Sequence, residues 1–262
     1  MERQPLKGRV AIVTGGSSGI GRGICLELAR EGARIVVADI QAAPLQGKYF
    51  ETDTVTPTAE AIAALGGDAI FVQTDVTDDE AVRNLIEQGS GHYGRLDILV
   101  NNAGIYIPGG IQQLTLAGWD RLMDINLRSL YVSMQAAWPY LEQSPAGRII
   151  NIASVNAFRG GHGPAYSASK AGVVNLTRDI AIELGPKGIT VNAICPGAVE
   201  TAMQDGASEE TMAAELKGTP LRRFGTPRDI GRACVFLASD DAAWITGIAM
   251  PVDGGLLSGM VR

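Results

Sequence analysis

A glycine-rich turn between an apolar run and a helical pattern restricts the fold of this chain more than any other stretch. The apolar run, residues 10–13, is short enough for a strand buried on both faces. Gly15, Gly19 and Gly21 follow it, and apolar residues then recur at helical spacing up to Gly32. A strand, a glycine turn and a helix in this order predict the first unit of a doubly wound α/β fold.

The alternation of strand and helix patterns continues to the end of the chain. Apolar runs typical of buried strands recur at residues 33–39, 69–74, 96–101, 147–153, 189–195 and 248–252. Helical patterns lie between them, beginning near residue 58 and then at residues 78–89, 115–138, 166–184, 208–217 and 227–238. We therefore predict a three-layer, doubly wound Rossmann fold with a mostly parallel central sheet of about seven strands.

The chain is predicted to form one domain over residues 1–262, because no proline-rich or charged linker divides it and no internal repeat is present. One stretch departs from the tight alternation. Residues 41–57, which carry Tyr49 and Phe50, form a long connection after the second predicted strand. A connection of this length is usually functional or mobile.

Charge and cysteine content argue against several classes of function. The net charge is -6 with no run of lysine or arginine, which disfavours a nucleic-acid partner. No apolar stretch is long enough to span a bilayer, and the first residues lack the apolar segment of a signal peptide. The three cysteines are scattered and the chain has two histidines, so we expect reduced core cysteines, no metal site and a cytoplasmic location.

Tyr166 and Lys170 form the candidate catalytic pair. On a helix, a spacing of four residues puts both side chains on one face, one turn apart. There the lysine ammonium would lower the phenol pKa from about 10 towards neutrality, which suits a general acid or base. By itself the pattern is weak, because tyrosine and lysine often fall four residues apart as a solvated pair.

The second predicted strand ends in a carboxylate, Asp39. At this place in a dinucleotide-binding fold, a carboxylate accepts hydrogen bonds from the adenosine ribose and would repel a 2′-phosphate. Neither Ser18 nor Ile40 supplies a compensating cation, and Arg22, one turn into the helix, can face solvent or an acidic neighbour instead. We therefore predict NAD as the cofactor in preference to NADP.

Several motifs in order resemble the short-chain dehydrogenase/reductase family in its compact, single-domain branch. The resemblance runs from Gly8 to about Gly255 and rests on Thr14–Gly21 (TGGSSGIG), Asp75-Val76, Asn101–Gly104 (NNAG), Asn126, Ser154, Tyr166-x-x-x-Lys170 and Pro196-Gly197. Each motif is weak alone, but all of them in this order are specific. The long connection at residues 41–57 departs from the usual pattern of the family.

The resemblance implies hydride transfer between a nicotinamide cofactor and a secondary alcohol or its ketone. Tyr166 would move the proton, Lys170 would lower the Tyr166 pKa and bind the nicotinamide ribose, and Ser154 would hold the substrate oxygen. Asn126 resembles the asparagine that anchors a water beside the lysine. Taken alone, Ser154 fits a cap or turn residue, and Asn126 fits a buried hydrogen-bonding residue or a helix irregularity.

The resemblance also implies the cofactor contacts. The candidate cofactor residues are Gly15, Ser17, Ser18, Gly19, Ile20, Gly21, Asp39, Ile40, Asp75, Val76, Asn102, Ala103, Gly104, Tyr166, Lys170, Pro196, Gly197, Val199 and Thr201. In this assignment Asp75 and Val76 contact the adenine, while Val199 and Thr201 bind the carboxamide. A competing interpretation makes Asp75 the cap of the helix that begins near residue 78.

On the substrate side, the resemblance implies a mobile lid at residues 200–220. The candidate substrate residues are Ser154, Asn156, His162 and Tyr166, with Ile105 and Phe158 expected beside them. His162 equally fits a plain surface residue in a glycine-rich loop. A sugar, a polyol, a small secondary alcohol, a hydroxysteroid or an oxoacyl ester all stay open as the substrate.

Other functions compete with an alcohol dehydrogenase. A 3-oxoacyl thioester reductase shares the fold, although the chain has no arginine cluster for a large phosphorylated or acyl-carrier substrate. A catalytically weak NAD(H)-binding regulator would be expected to have a broken serine, tyrosine and lysine set, which is intact here. A sugar-nucleotide epimerase usually needs a larger C-terminal region. From the family we expect a homotetramer that binds a small alcohol or ketone.

Overall fold

Seven strands form a parallel sheet in the computed structural model, which describes residues 4–259. They are β1 (Val10–Thr14), β2 (Arg34–Asp39), β3 (Ala69–Gln73), β4 (Ile98–Asn101), β5 (Arg148–Ile152), β6 (Thr190–Pro196) and β7 (Ala249–Val252). Their order in the sheet is β3-β2-β1-β4-β5-β6-β7, and each neighbouring pair runs parallel. The predicted doubly wound fold with a sheet of about seven strands is confirmed.

The helices cover both faces of this sheet. They are α1 (Gly19–Arg30), α2 (Thr58–Ala64), α3 (Asp79–Tyr93), α4 (Leu116–Met123), α5 (Ser129–Leu141), α6 (Pro164–Leu184), α7 (Glu209–Gly218) and α8 (Pro227–Ala238). The single helix predicted over residues 115–138 is instead α4 and α5 joined by a π-helical turn at Asp124–Arg128. Among residues 4–259, no helix is long and apolar enough to cross a membrane.

The core lies in two apolar clusters, one on each side of the sheet. Alternate residues of β1 show the division, because Ala11 and Val13 belong to one cluster and Ile12 to the other. The first cluster is completed by residues of α1 and α8, and the second by residues of α3, α5 and α6. Every residue of β1 and β4 is buried, as short apolar runs between two helical layers require.

The three cysteines lie in this core, as expected. Cys25 in α1, Cys195 in β6 and Cys234 in α8 are all buried and free. Burial raises the pKa of the Cys195 thiol to about 11, so the thiol stays protonated and unreactive at neutral pH. The cysteines therefore act as small apolar core residues.

The strand order reverses between β1 and β4, which opens a crevice at the carboxyl ends of the strands. β1, β2 and β4 end at Thr14, Asp39 and Asn101, and β5 and β6 end at Ile152 and Pro196. The predicted site residues follow these ends or lie in the helices after them. The fold therefore gathers them at one edge of the sheet.

Candidate active site

The turn between β1 and α1 depends on glycine. Gly15 and Gly19 have φ angles of 64° and 53°, in the left-handed region that glycine adopts without strain. A Cβ on Gly21 would lie 2.0 Å from the carbonyl oxygen of Gly15, so a side chain cannot fit there unless the backbone moves. α1 begins at Gly19, and its first N–H groups form a position that attracts an anion. This geometry fits the pyrophosphate of a dinucleotide.

Asp39 lies beside this turn at the end of β2. Its Oδ2 accepts a hydrogen bond from the Ser17 N–H at 3.0 Å, and its Oδ1 accepts one from the Ile40 N–H at 2.8 Å. Burial raises the pKa of the Asp39 carboxyl, and the hydrogen bonds oppose this shift. Arg22 Nη1 donates to the carbonyl oxygen of Thr56 at 2.7 Å, so the long connection after β2 holds this guanidinium.

The connection at residues 41–57, called the strap below, folds over the glycine-rich turn. Ser17 Oγ donates to the carbonyl oxygen of Gln41 at 2.7 Å. Ser18 Oγ accepts a hydrogen bond from the Leu45 N–H at 2.6 Å. The strap is therefore bound at its start to both serines of the turn, although it contains no regular helix or strand.

The Asn-Asn-Ala-Gly motif after β4 joins three strands. Asn101 Nδ2 donates to Asn151 Oδ1 at 2.9 Å, which links β4 to β5 inside the sheet. Asn102 Nδ2 donates to the carbonyl oxygens of Thr14 at 2.9 Å and Gly15 at 3.1 Å, which links β4 to the glycine-rich turn. These asparagines therefore brace neighbouring strands.

Tyr166 and Lys170 lie one turn apart on α6, beside the carboxyl end of β5. Lys170 Nζ donates to the carbonyl oxygen of Ile152 at 2.9 Å and lies 5.7 Å from the centroid of the Tyr166 ring. Ser154, which follows β5, lies close enough to the Tyr166 phenol to lower the pKa of that phenol. The structure thus brings the predicted serine, tyrosine and lysine together.

The protonation of this pair differs from the sequence expectation. We expected Lys170 to lower the pKa of Tyr166, but burial raises the pKa of the Tyr166 phenol, and the nearby Ser154 opposes that shift only in part. Burial also lowers the pKa of the Lys170 ammonium to about 8. Both shifts have one cause, since a site with little water disfavours phenolate and ammonium alike. Tyr166 is therefore a protonated phenol at neutral pH, able to donate a proton.

Ser154 is oriented by its neighbour in the chain. Its Oγ accepts hydrogen bonds from the Asn156 N–H at 3.1 Å and from Asn156 Nδ2 at 3.3 Å, and it caps the 3₁₀ turn Val155–Ala157. The plain interpretation of a capping serine therefore holds as well. Since a hydroxyl has two acceptor positions and one proton, these bonds leave the Ser154 proton free to point at another oxygen.

Asn126 lies in the π-helical turn Asp124–Arg128, a kind of turn often found at functional sites. Its Oδ1 accepts a hydrogen bond from the Ile105 N–H at 2.8 Å, and its Nδ2 donates to the Ile105 carbonyl oxygen at 2.9 Å. A Cβ on Gly104 would lie 3.4 Å from Asn126 Oδ1 and 3.5 Å from Lys170 Nζ. Asn126 thus braces the backbone beside Lys170, and its role as a water anchor stays a prediction.

The turn after β6 brings the start of the lid against the glycine-rich turn. The N–H of Gly197 is bound to the end of the sheet, and Val199 is buried and forms a β-bridge with Gly225. Thr201 is also buried, and its Cγ2 would lie 3.3 Å from a Cβ on Gly19. The turn after β6, which is predicted to bind the nicotinamide, therefore lies against the glycine-rich turn, which is predicted to bind the pyrophosphate.

Asp75 forms a turn of its own after β3. Its Oδ1 accepts hydrogen bonds from the N–H and the hydroxyl of Thr77 at 2.9 Å and 2.7 Å, which lower the pKa of the Asp75 carboxyl. The cap of α3 is Asp78, whose Oδ1 accepts from the N–H groups of Glu80 and Ala81. The interpretation of Asp75 as the helix cap is therefore wrong.

The other predicted cofactor residues lie around the same crevice. Ile20 packs partly buried against the cluster on the α1 side, and Ile40 is 59% exposed. Val76 is half-buried, the Ala103 N–H donates to Thr14 Oγ1 at 3.1 Å, and Pro196 ends β6.

A histidine–glutamate pair joins the neighbourhood of Tyr166 to the predicted lid, residues 200–220. His162 Nε2 lies 3.3 Å from Glu215 Oε1 in α7. The ring of Tyr106 stands edge-on to Tyr166 with centroids 5.6 Å apart, and its centroid lies 6.1 Å from that of His162. Sequence reasoning named His162 but missed Tyr106 and Glu215. Tyr106 follows the Asn-Asn-Ala-Gly motif by two residues, which was a usable signal, whereas Glu215 had none.

Several buried polar atoms near Tyr166 have no hydrogen-bond partner within the described part of the chain. They include Asn156 Oδ1, His162 Nδ1 and Glu215 Oε2. Unpaired buried polar atoms are uncommon in folded proteins, and each one costs free energy until a partner is supplied. A ligand that enters the crevice and shifts these side chains could supply the missing partners.

The chain is similar to known proteins over nearly its whole length. A family model described as enoyl-(acyl carrier protein) reductase matches residues 15–257. The 3-oxoacyl-[acyl-carrier-protein] reductase FabG of Staphylococcus aureus is 40% identical over 247 residues, covering 94% of this chain and 97% of that protein. The (2S)-[(R)-hydroxy(phenyl)methyl]succinyl-CoA dehydrogenase subunit BbsD of Thauera aromatica is 38% identical over 251 residues, covering 95% and 97%.

The fold is likewise similar to solved structures. A short-chain dehydrogenase/reductase from Serratia marcescens BCRC 10948 superposes with a TM-score of 0.87 at 37% identity, covering 96% of this chain and 99% of that chain. The similarity therefore extends over the sheet, both helical layers and the crevice.

Proposed function

The chain belongs to the short-chain dehydrogenase/reductase family, and we propose that it interconverts a secondary alcohol and its ketone with NAD as the hydride carrier. Membership of this family implies a nicotinamide cofactor. The observation that carries the proposal is the convergence of three side chains: Ser154 lies beside the Tyr166 phenol and lowers its pKa, and Lys170 Nζ lies 5.7 Å from the centroid of the Tyr166 ring.

The chemistry follows from these three side chains. When bound, a nicotinamide cofactor supplies the hydride that reduces the carbonyl carbon. The Ser154 hydroxyl donates a hydrogen bond to the substrate oxygen, and Tyr166 gives that oxygen its proton as negative charge develops there. The Lys170 ammonium then stabilises the Tyr166 phenolate. Oxidation of the alcohol uses the same groups in reverse.

The charge at the end of β2 supports NAD in preference to NADP. The Asp39 carboxylate lies where the adenosine ribose is expected, and a 2′-phosphate beside it would be repelled. Arg22 is a nearby cation, and it donates to the Thr56 carbonyl at 2.7 Å and to the Thr58 hydroxyl at 3.1 Å. It is thus engaged by the strap and by the start of α2.

The polar atoms around Tyr166 support a substrate with several oxygen atoms, such as a sugar or a polyol. Asn156 Oδ1 accepts hydrogen bonds only, and His162 Nδ1 can donate or accept, so together they match hydroxyl groups near the reacting carbon. A second candidate is a 3-oxoacyl thioester reductase. It is favoured by the 40% identity to FabG of Staphylococcus aureus.

A substrate panel tests these proposals. The formation or loss of NADH is followed by absorbance with polyols, sugars, simple secondary alcohols and 3-oxoacyl thioesters, with NADP(H) in parallel. We expect turnover with NAD and a polyol or sugar. Turnover confined to 3-oxoacyl thioesters would select the second candidate. Binding of NADH without turnover of any compound would favour a regulatory protein instead.

We also propose that the chain assembles as a homotetramer. Large apolar side chains are exposed at several places on its surface, including Trp244 at 100%, Ile182 at 76% and Tyr131 at 49%. Exposed apolar groups of this size are typical of subunit contacts. Light scattering during gel filtration measures the mass directly, and a monomeric mass would contradict the proposal. The cytoplasmic location stays a prediction.

A further inference from the structure

We propose that Glu51 of the strap occupies the anion position of the glycine-rich turn, so that the chain carries an internal competitor for the cofactor pyrophosphate. This inference rests on the proposed function, because it requires the turn to bind a dinucleotide. It makes the strap a gate for the cofactor.

The first argument is the position of the Glu51 carboxylate. Its Oε1 accepts a hydrogen bond from the Gly19 N–H at 2.8 Å, and Gly19 is the first residue of α1. The N–H groups and the dipole at a helix N-terminus attract negative charge, which is how such turns bind phosphates. A pyrophosphate oxygen would need the same N–H group. Since two anions repel at this distance, Glu51 and a pyrophosphate cannot both remain there.

The second argument is that the same carboxylate binds the lid. Glu51 Oε2 accepts a hydrogen bond from the Ala202 N–H at 3.3 Å. In the same 3₁₀ turn, Asp205 accepts from the N–H groups of Lys48 at 2.8 Å and Tyr49 at 3.3 Å. A strap carboxylate therefore accepts a hydrogen bond from the lid backbone, and a lid carboxylate accepts hydrogen bonds from the strap backbone. Displacement of Glu51 releases one of these connections, so entry of a cofactor is coupled to the lid.

The third argument is the backbone of Glu51. Its φ angle is 58°, in the left-handed region that is uncommon for residues other than glycine. Such conformations persist where surrounding contacts hold them, and they cluster at ligand clamps and switches. Next to Glu51, the ring of Phe50 lies edge-on to Phe224 with centroids 6.0 Å apart. The strap is thus anchored beside a strained residue whose carboxylate is directed at the turn.

The consequence is a lowered affinity for the cofactor. If the strap must leave the turn before a pyrophosphate binds, the apparent dissociation constant rises in inverse proportion to the fraction of molecules in which Glu51 has left the turn. Removing the negative charge should therefore tighten binding of ligands that carry a pyrophosphate. It should leave a ligand without phosphate unaffected.

The test compares Glu51→Gln with wild type and with Asp53→Asn, a control that removes an exposed charge from the same strap. Dissociation constants are measured for NADH by its fluorescence, and for ADP and adenosine by calorimetry. We expect Glu51→Gln to bind NADH and ADP roughly three- to tenfold more tightly, as the loss of one anion at a helix N-terminus implies. Adenosine affinity and the Asp53→Asn variant should be unchanged. Thermal unfolding of each variant establishes that it is folded.

The outcomes separate this inference from the proposed function. If wild type binds NADH and Glu51→Gln binds it equally or more weakly, Glu51 is not a competitor and only this inference fails. Equal tightening for adenosine would also overturn it, because the gain would then be unrelated to the pyrophosphate. If neither protein binds NADH or NADPH, the proposed function fails and the inference fails with it.

Discussion

Around the glycine-rich turn the polar groups already have partners within the chain, whereas around Tyr166 several buried polar atoms have none within residues 4–259. Ser17, Ser18 and Gly19 are each hydrogen-bonded to the strap. On the other side of the crevice, Asn156 Oδ1 and His162 Nδ1 are buried and unpaired. At one end of the crevice the polar groups are already hydrogen-bonded within the chain, and at the other end several of them are not.

This difference separates the energetics of the two binding events. Under the proposed function, a substrate that reaches these atoms supplies hydrogen bonds that no other group in residues 4–259 makes to them. A cofactor must replace bonds that the strap already makes, so its binding is an exchange with a smaller net gain. Variants on the two sides should consequently change different constants.

The largest expected effect is the loss of turnover without a loss of cofactor binding, which separates the two ends of the crevice. Tyr166→Phe deletes the phenol oxygen and should lower turnover by about a hundred- to ten-thousandfold, the usual contribution of a general acid or base. The dissociation constant for NADH should stay the same. Tyr106→Phe is the control, since it alters a neighbouring phenol, with ring centroids 5.6 Å apart, that has no part in the proposed proton transfer. Near-normal turnover of Tyr166→Phe would show that Tyr166 is not the general acid or base.

The pH dependence of reduction should follow Lys170. Burial lowers the pKa of its ammonium to about 8, so the charge that stabilises the Tyr166 phenolate is present below that pH and is lost above it. The kcat/KM for ketone reduction should be level below pH 8 and then fall by at most about tenfold for each further pH unit. A rate that rises above pH 8 would contradict the role of this ammonium.

Asp39→Ala should change the affinity for the cofactor and leave the chemistry and the binding of substrate nearly unchanged. Loss of a charged hydrogen-bond acceptor should weaken NAD by roughly tenfold or more, with a smaller loss for NADP because repulsion of the 2′-phosphate also disappears. Turnover at saturating cofactor and the KM for the substrate should change little. If the preference for NAD over NADP is unchanged, the strap sets the selectivity instead of Asp39.

The smallest expected effect belongs to the pair of His162 and Glu215. Glu215→Gln weakens a partly exposed contact between the carboxylate and the imidazole of His162, and exposed contacts of this kind contribute little, so we expect the substrate KM to change by about two- to fivefold. The dissociation constant for NADH should be unchanged. Glu210→Gln is the matched control, because Glu210 is an exposed carboxylate in the same helix. An equal effect of both variants would mean that this pair does not face the substrate.

The fold was predictable because its signals are local. The apolar run before Gly15, the glycine turn and the carboxylate at Asp39 each lie within a short stretch, and the structure places them as β1, α1 and β2. The catalytic pair was predictable for the same reason, since the spacing of Tyr166 and Lys170 on a helix sets their common face.

Other features depend on contacts that no local pattern carries. Glu51 meets Gly19 and Ala202 across 32 and 151 positions, so its place could not be read from the strap. The pKa of Tyr166 was predicted with the wrong sign because burial, a property of the folded chain, is the largest influence on it. The π-helical turn at Asn126 likewise depends on its bonds to the backbone of Ile105.

The central claim is that Tyr166 assists a hydride transfer from a nicotinamide cofactor to a carbonyl carbon. The most direct measurement incubates the protein with the ketone forms of the panel and NADH carrying deuterium at C4, and examines the products by mass spectrometry. The account predicts an alcohol with one deuterium on its carbinol carbon, and almost none of it from Tyr166→Phe. If no compound of the panel acquires deuterium from labelled NADH or NADPH, the claim is contradicted.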